Sequence, residues 1–109
     1  MKRVFISQPM NGMTKREIIM FRNNAQEDIE TIFAGEDIVY VNPLQNGMEY
    51  DGITRLNNPL KWLGKSIKKL ADADVAYFCY GWKDARGCRI EHQCAKEYGI
   101  EIIEKNNLF

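Results

Sequence analysis

The sequence predicts an α/β fold: a three-layer sandwich on a four-stranded parallel sheet ordered 2-1-3-4, of the flavodoxin-like or Rossmann-like kind. Three observations predict it. Short apolar, β-branched runs alternate with amphipathic helical stripes in the order β-α-β-α-β-α-β, the pattern of parallel sheets covered by helices. The 109 residues suit one domain with one core, so residues 1–109 are read as a single domain. Hydrophobic residues make up 45% and charged ones 28%, ordinary for a globular chain.

The elements follow in order. Lys2 to Ser7, KRVFIS, is β-branched and aromatic and is stopped by Pro9 and Gly12, as a short buried strand would be. Thr14 opens a capping box with Glu17. Ile18, Phe21, Ala25, Ile29 and Ile32 then recur at helical spacing, and the helix ends near Gly35. Asp37 to Val41 is the second strand, stopped at Asn42-Pro43. The stretch PLQNGMEYDGITRLNN has no periodicity, and unstructured connections of this length are commonly functional. Asn58-Pro59 marks a helix start, and Leu60, Leu63, Ile67 and Leu70 form its stripe. Asp74 to Tyr80 is the third strand, Gly81-Trp82 turns the chain, and Asp84 is positioned to cap a helix that ends at Gly99. Ile100 to Ile103 completes the sheet.

Charge and composition exclude several classes. Fifteen basic and fifteen acidic side chains cancel, which argues against a general nucleic-acid binder. No apolar run is long enough to span a bilayer, and MKRVFISQ is not a signal peptide, so a cytoplasmic protein without a membrane partner is expected. Three cysteines without CxxC spacing fit reduced core thiols. Cys79, Cys88, Cys94 and His92 lack metal-ligand spacing, and His92 lies away from Cys88 and Cys94 on the helix. Neither a metal site nor a Cys–His nucleophile is therefore expected. The first loop carries no GxGxxG and no GxxxxGK[ST], so no cofactor of the dinucleotide or triphosphate type is read.

The informative stretch is RGCRIEHQCAKEYG. With Gly87 at zero and about 100° per residue, Cys88, Ile90, Cys94, Ala95 and Tyr98 spread over an arc centred near ~30°, and Glu91 falls inside it at about 40°. Arg89, His92, Gln93, Lys96 and Glu97 take the other side. An unpaired buried carboxylate costs several kcal/mol. Glu91 is therefore either a nucleophile or general base in a half-dry pocket, or a carboxylate tied to backbone amides or an arginine.

In a sheet of this order, ligands sit beyond the carboxyl ends of the strands, at the switch point between strands one and three. That crevice is expected between Ser7-Gln8-Pro9-Met10-Asn11-Gly12 and Gly81 to Gly87, with Glu91 beneath it. Ser7, Gln8 and Asn11 offer polar atoms to a ligand, or simply belong to a strand-to-helix turn. Gly87 before Cys88 lets a ligand approach the helix N-terminus, where anions are favoured and Arg86 adds charge. A tight turn needing glycine is the competing explanation. Trp82 is placed to stack on a base, or packs at the rim. Asp72 and Asp74 lie at the opposite end of the sheet, as a helix stop and an edge carboxylate.

Together SQPMNGMT, ADADVAYFCYGW and GCRIEHQCAKEYG resemble the nucleoside 2-deoxyribosyltransferase superfamily, most closely its small uncharacterised bacterial and phage members. The resemblance covers nearly the whole chain through short motifs. It implies that Glu91 attacks C1′ of a deoxyribose, forms a glycosyl ester and expels the base, after which another base or water takes the sugar. It implies a nucleoside, nucleotide or related N-riboside as substrate, the sugar or its 5′ group on the first loop, a phosphate at the Gly87 helix start, and a homodimer.

The sequence also departs from that family. Ser66, beside Lys65, stands where the family has an aspartate that protonates the leaving base, eight residues before Asp74. Ala85 stands where a serine is often found. The family's transferases complete a neighbour's pocket with a C-terminal segment longer than the one ending here at Phe109. These departures favour hydrolysis or binding over full transfer, with Glu49, Tyr50 and Asp51 as sources of a replacement acid. The alternative is a non-catalytic nucleotide-binding or sensor protein on the same fold. A flavin carrier fits less well, because the first loop lacks a Ser/Thr-rich phosphate nest.

Overall fold

The computed structural model describes residues 1–44 and 58–108. The elements are β1 (Lys2–Ser7), α1 (Lys15–Ile32), β2 (Ile38–Tyr40), α2 (Pro59–Leu70), β3 (Val75–Phe78), a 3-10 turn (Trp82–Asp84), α3 (Arg86–Glu97) and β4 (Glu101–Glu104). The sheet order is β2-β1-β3-β4 and every pairing is parallel, as expected from the alternation. Residues 45–57, with Glu49, Tyr50 and Asp51, lie outside the described residues.

Successive strand residues face opposite layers. Val4, Ile6, Val75, Tyr77 and Cys79 pack with Ala25 and Ile29 of α1. Phe5, Ala76 and Phe78 pack on the other face with Leu70 of α2 and with Cys88 and Ala95 of α3. Both faces of β1 and β3 are therefore dry, which is why neither strand alternates with polar residues.

The helix starts follow their caps. Thr14 Oγ1 accepts from Glu17 N at 3.1 Å while Glu17 Oε1 accepts from Thr14 N at 2.9 Å. Asn58 Oδ1 accepts from Lys61 N at 3.1 Å, with Pro59 at the first helical position. Asp74 Oδ2 accepts from Arg3 N at 2.9 Å, so it is the edge carboxylate the sequence predicts.

Several local expectations are corrected. β2 and β3 are shorter than Asp37–Val41 and Asp74–Tyr80, although Val41 N still donates to Val4 O and Cys79 N to Ser7 O, both at 2.9 Å. Asp84 does not cap α3; it ends the 3-10 turn, and Ala85 takes the cap position without a side-chain hydrogen bond. Ile32, Ile90 and Tyr98 are exposed. The buried stripe of α3 is Cys88, Glu91 and Ala95, rotated toward His92 from the expected arc. The cause is aromatic packing, since His92 meets Trp82 and Phe78 at ring-centroid distances of 4.1 and 4.9 Å.

Candidate active site

The carboxyl ends of β1 and β3 open onto a crevice closed on the far side by α2 and α3. Gly81 makes this possible. Its φ of +87° lets the chain leave β3 sharply, and a Cβ there would stand 3.6 Å from Pro9 Cγ. Gly87 has a different status, because it already lies in α3 with helical geometry. Among the described residues a Cβ on it would meet only Leu63 Cδ1, at 4.0 Å. The turn therefore does not require glycine at 87, and its missing side chain leaves the helix entry open.

Glu91 sits in the second turn of α3 and is only 6% exposed. Ser7, the last residue of β1, donates from Oγ to Glu91 Oε1 at 2.6 Å. Ser66 of α2 donates from its Oγ to Glu91 Oε2. Three elements thus converge on one carboxyl group. Burial raises its pKa above the ordinary 4.5, and the hydrogen bonds from Ser66 and then Ser7 pull it part of the way back. Among the described residues no cation contributes to that shift, and no arginine among them pairs with Glu91.

The neighbouring groups are quiet. Burial pushes the Cys88 thiol up to about 12 despite a hydrogen bond with Ser7. Cys79 is likewise pushed up to about 12 by burial. Neither is a nucleophile at neutral pH. His92 Nε2 lies 2.7 Å from Glu104 Oε2 and is stacked on Trp82. Among the described residues no group of three or more His, Cys, Asp or Glu side chains could hold a metal ion, and no helix is long and apolar enough to cross a membrane.

The first loop lines the crevice with Ser7, Gln8, Pro9, Met10, Asn11 and Gly12, and the opposite wall carries Gly81, Arg86, Gly87 and Cys88. The structure therefore brings these residues together with Glu91. Trp82 is the exception, and the expectation that it faces a base is corrected. It is 8% exposed, it does not line the crevice, and His92 lies nearly parallel to it, 13° between planes. Gln8 is mostly spent on the fold, with Nε2 donating to Ile18 O at 3.0 Å and Oε1 accepting from Arg22 Nε at 2.7 Å. At the start of α3, Ala85 offers no side-chain acceptor and the first turn holds no acid. The first amides of an α-helix have no intrahelical partner, so this end carries the positive pole of the helix dipole toward the crevice.

A family model matches residues 2–104. The chain belongs to DUF4406, a domain of unknown function. No curated protein and no solved structure matches it.

In this DUF4406 chain, two site residues, Arg22 and Asn42, escape sequence reasoning. Arg22 is 4% exposed, and besides Gln8 its Nη1 donates to Asn42 O at 3.1 Å. Its signal was present: Arg22 lies four residues after Ile18 and three before Ala25, so the stripe of α1 carries a charge just as that of α3 does. Asn42 clamps β1 through Ile6, accepting from its N–H at 2.9 Å and donating to its C=O at 2.7 Å. Ser66 lies three residues after Leu63 and four before Leu70 on the inner side of α2. The resemblance puts this position near the leaving base, and the tertiary structure adds its contact with Glu91.

Proposed function

We propose that this DUF4406 protein is a nucleoside or nucleotide N-glycosidase, or a 2-deoxyribosyltransferase, acting through a covalent glycosyl ester on Glu91. The observation that carries the reading is a buried carboxyl with no cationic partner among the described residues, held by Ser7 and Ser66 at the crevice where this sheet topology binds ligands. The sequence resemblance to the deoxyribosyltransferases supports it independently.

In this mechanism a Glu91 oxygen attacks C1′ of the sugar. The C1′–N bond breaks, and its electron pair leaves with the base. Positive charge develops on the sugar beside a fixed anion, where low polarity makes the attraction strong. A carboxylate accepts at about four lone-pair sites, so each oxygen keeps capacity beyond its serine. Water, or a second base, then takes the sugar and frees Glu91. Ser7, Asn11 and Gly12 line the sugar side, and the amides at Gly87 and Cys88 hold the 5′ phosphate. The substrate is a free small molecule in the cytoplasm, and the working form is a homodimer.

A second reading, a non-catalytic nucleotide-binding or sensor module, is favoured by the hydroxyl of Ser66 standing beside Glu91 where a proton donor for the base would be useful. Base release from deoxynucleosides and deoxynucleotides, compared between the native protein and Glu91→Ala, separates the two. Release that disappears in the variant supports the enzyme. Absence of release with nucleotide binding retained supports the module.

A further inference from the structure

Among the described residues Glu91 is the only buried carboxyl group lining the crevice, and its hydrogen-bond partners there are hydroxyls, Ser7 and Ser66. The other described carboxyl on the crevice wall, Asp84, is exposed on the turn before α3. A serine hydroxyl is a poor acid at neutral pH, and both of these already direct their protons to Glu91. Among the described residues the site therefore has one buried carboxyl and no second carboxylic acid beside it to protonate a leaving group. A neutral purine or pyrimidine leaves as an anion unless it is protonated, and general acid catalysis of such a step contributes about 10²–10⁴-fold. A pyridinium ring needs no proton, because it departs as a neutral base.

The rest of the wall is cationic. Lys65 and Lys69 of α2 flank Ser66, Arg86 and Arg89 lie at the start of α3, and α2 contains no acidic residue. These charges, with the uncapped amino end of α3, suit a phosphate group on the same ligand.

We infer that the preferred substrates are N-ribosylpyridinium compounds bearing a 5′ phosphate, with the positive ring and C1′ next to Glu91 and the phosphate toward Lys65, Lys69 and Arg86. The inference rests on the glycosyl-ester reading and narrows its substrate class. In the step, a bond forms between a Glu91 oxygen and C1′ while the C1′–N bond breaks. The bonding pair goes to the ring nitrogen, which leaves uncharged without gaining a proton. Water then forms a bond to C1′, the ester C1′–O bond breaks and returns the carboxylate, and one proton is released to solvent. The net reaction consumes one water and needs no oxidant, reductant or metal.

The test measures base release by chromatography from nicotinamide mononucleotide, nicotinamide adenine dinucleotide, nicotinamide riboside and a panel of purine and pyrimidine 5′-monophosphates, with Glu91→Gln as control. The expected result is a kcat/KM at least about 100-fold higher for a phosphorylated pyridinium than for any neutral-base nucleotide, lost in Glu91→Gln. The mononucleotide and dinucleotide arms tell which phosphate source is used, and the riboside falls behind both. The pH profile for the pyridinium should fall only on the acid side and stay flat above it, since no group has to remain protonated. Neutral-base nucleotides cleaved equally well in a Glu91-dependent way would overturn this inference and leave the glycosyl-ester reading standing. No Glu91-dependent release from either class would overturn both.

Discussion

Glu91→Gln should make the protein more stable at neutral and alkaline pH. The carboxyl is 6% exposed and receives hydrogen bonds from two serines, but no lysine or arginine among the described residues offsets its charge. Desolvating an ion costs several kcal/mol even after relaxation. Two hydrogen bonds to a charged acceptor return about 1.5–3 kcal/mol each. The direction of the pKa shift says that desolvation outweighs the hydrogen bonds. Glutamine keeps the shape and one acceptor oxygen, and serine hydroxyls can rotate to accept from its amide. The net gain is then about 1 kcal/mol, or about 4–8 °C in Tm for a domain near this size.

The sign with pH follows from linkage. A carboxyl whose folded pKa is raised binds more protons folded than unfolded, so the native protein loses stability as pH rises above the ordinary value of 4.5. The advantage of glutamine should therefore vanish below about pH 4 and grow through the neutral range. Thermal unfolding of both proteins at pH 4 and pH 8 reads this directly. A glutamine variant less stable than native at pH 8 would mean that the anion holds the fold together, and the reasoning that reserves it for chemistry would fail.

Gly87→Ala should stabilise α3 by about 0.5–1 kcal/mol, since alanine is the better helix residue and among the described residues its Cβ meets only Leu63. If ligand reaches the helix entry, KM rises in the same variant; an unchanged KM would move the phosphate elsewhere. Arg22→Ala should cost about 3 kcal/mol in chemical denaturation, because Gln8 and Asn42 lose buried donors worth about 1–3 kcal/mol each, and an unaffected midpoint would refute the clamp. Tyr77→Phe removes the 2.7 Å hydrogen bond to Asp28 and should cost about 1 kcal/mol at pH 7. Lys105 and then Tyr77 hold Asp28 below its ordinary 3.8, so the native protein gains stability above that pH and loses it as the pH falls further. The variant should lose less on acidification, and equal acid sensitivity in denaturation would count against the Tyr77–Asp28 contact.

The sheet order could be read from sequence because alternating strands and helices with right-handed crossovers leave few topologies, and the dry strands of β1 and β3 admit only a central position. Glu91 was visible as a charge within an apolar arc. Arg22 carries the same signal in α1, within a strong stripe of isoleucines whose last member, Ile32, is exposed. Trp82 could not be placed, because its fate depends on His92, a residue assigned by helical angle to the solvent side and drawn inward by the Trp82 and Phe78 rings. Ser66 is separated from Glu91 by 25 positions in sequence, and no local pattern connects a helix serine to a carboxyl on the next helix.

The most direct measurement is mass spectrometry of protein quenched during turnover of deoxynucleoside monophosphates and of pyridinium nucleotides, followed by peptide mapping. A sugar-phosphate adduct on the peptide that carries Glu91, absent from Glu91→Gln, is the predicted result. Base release with that peptide unmodified, or with the adduct on another residue, would contradict the assignment of Glu91 as nucleophile.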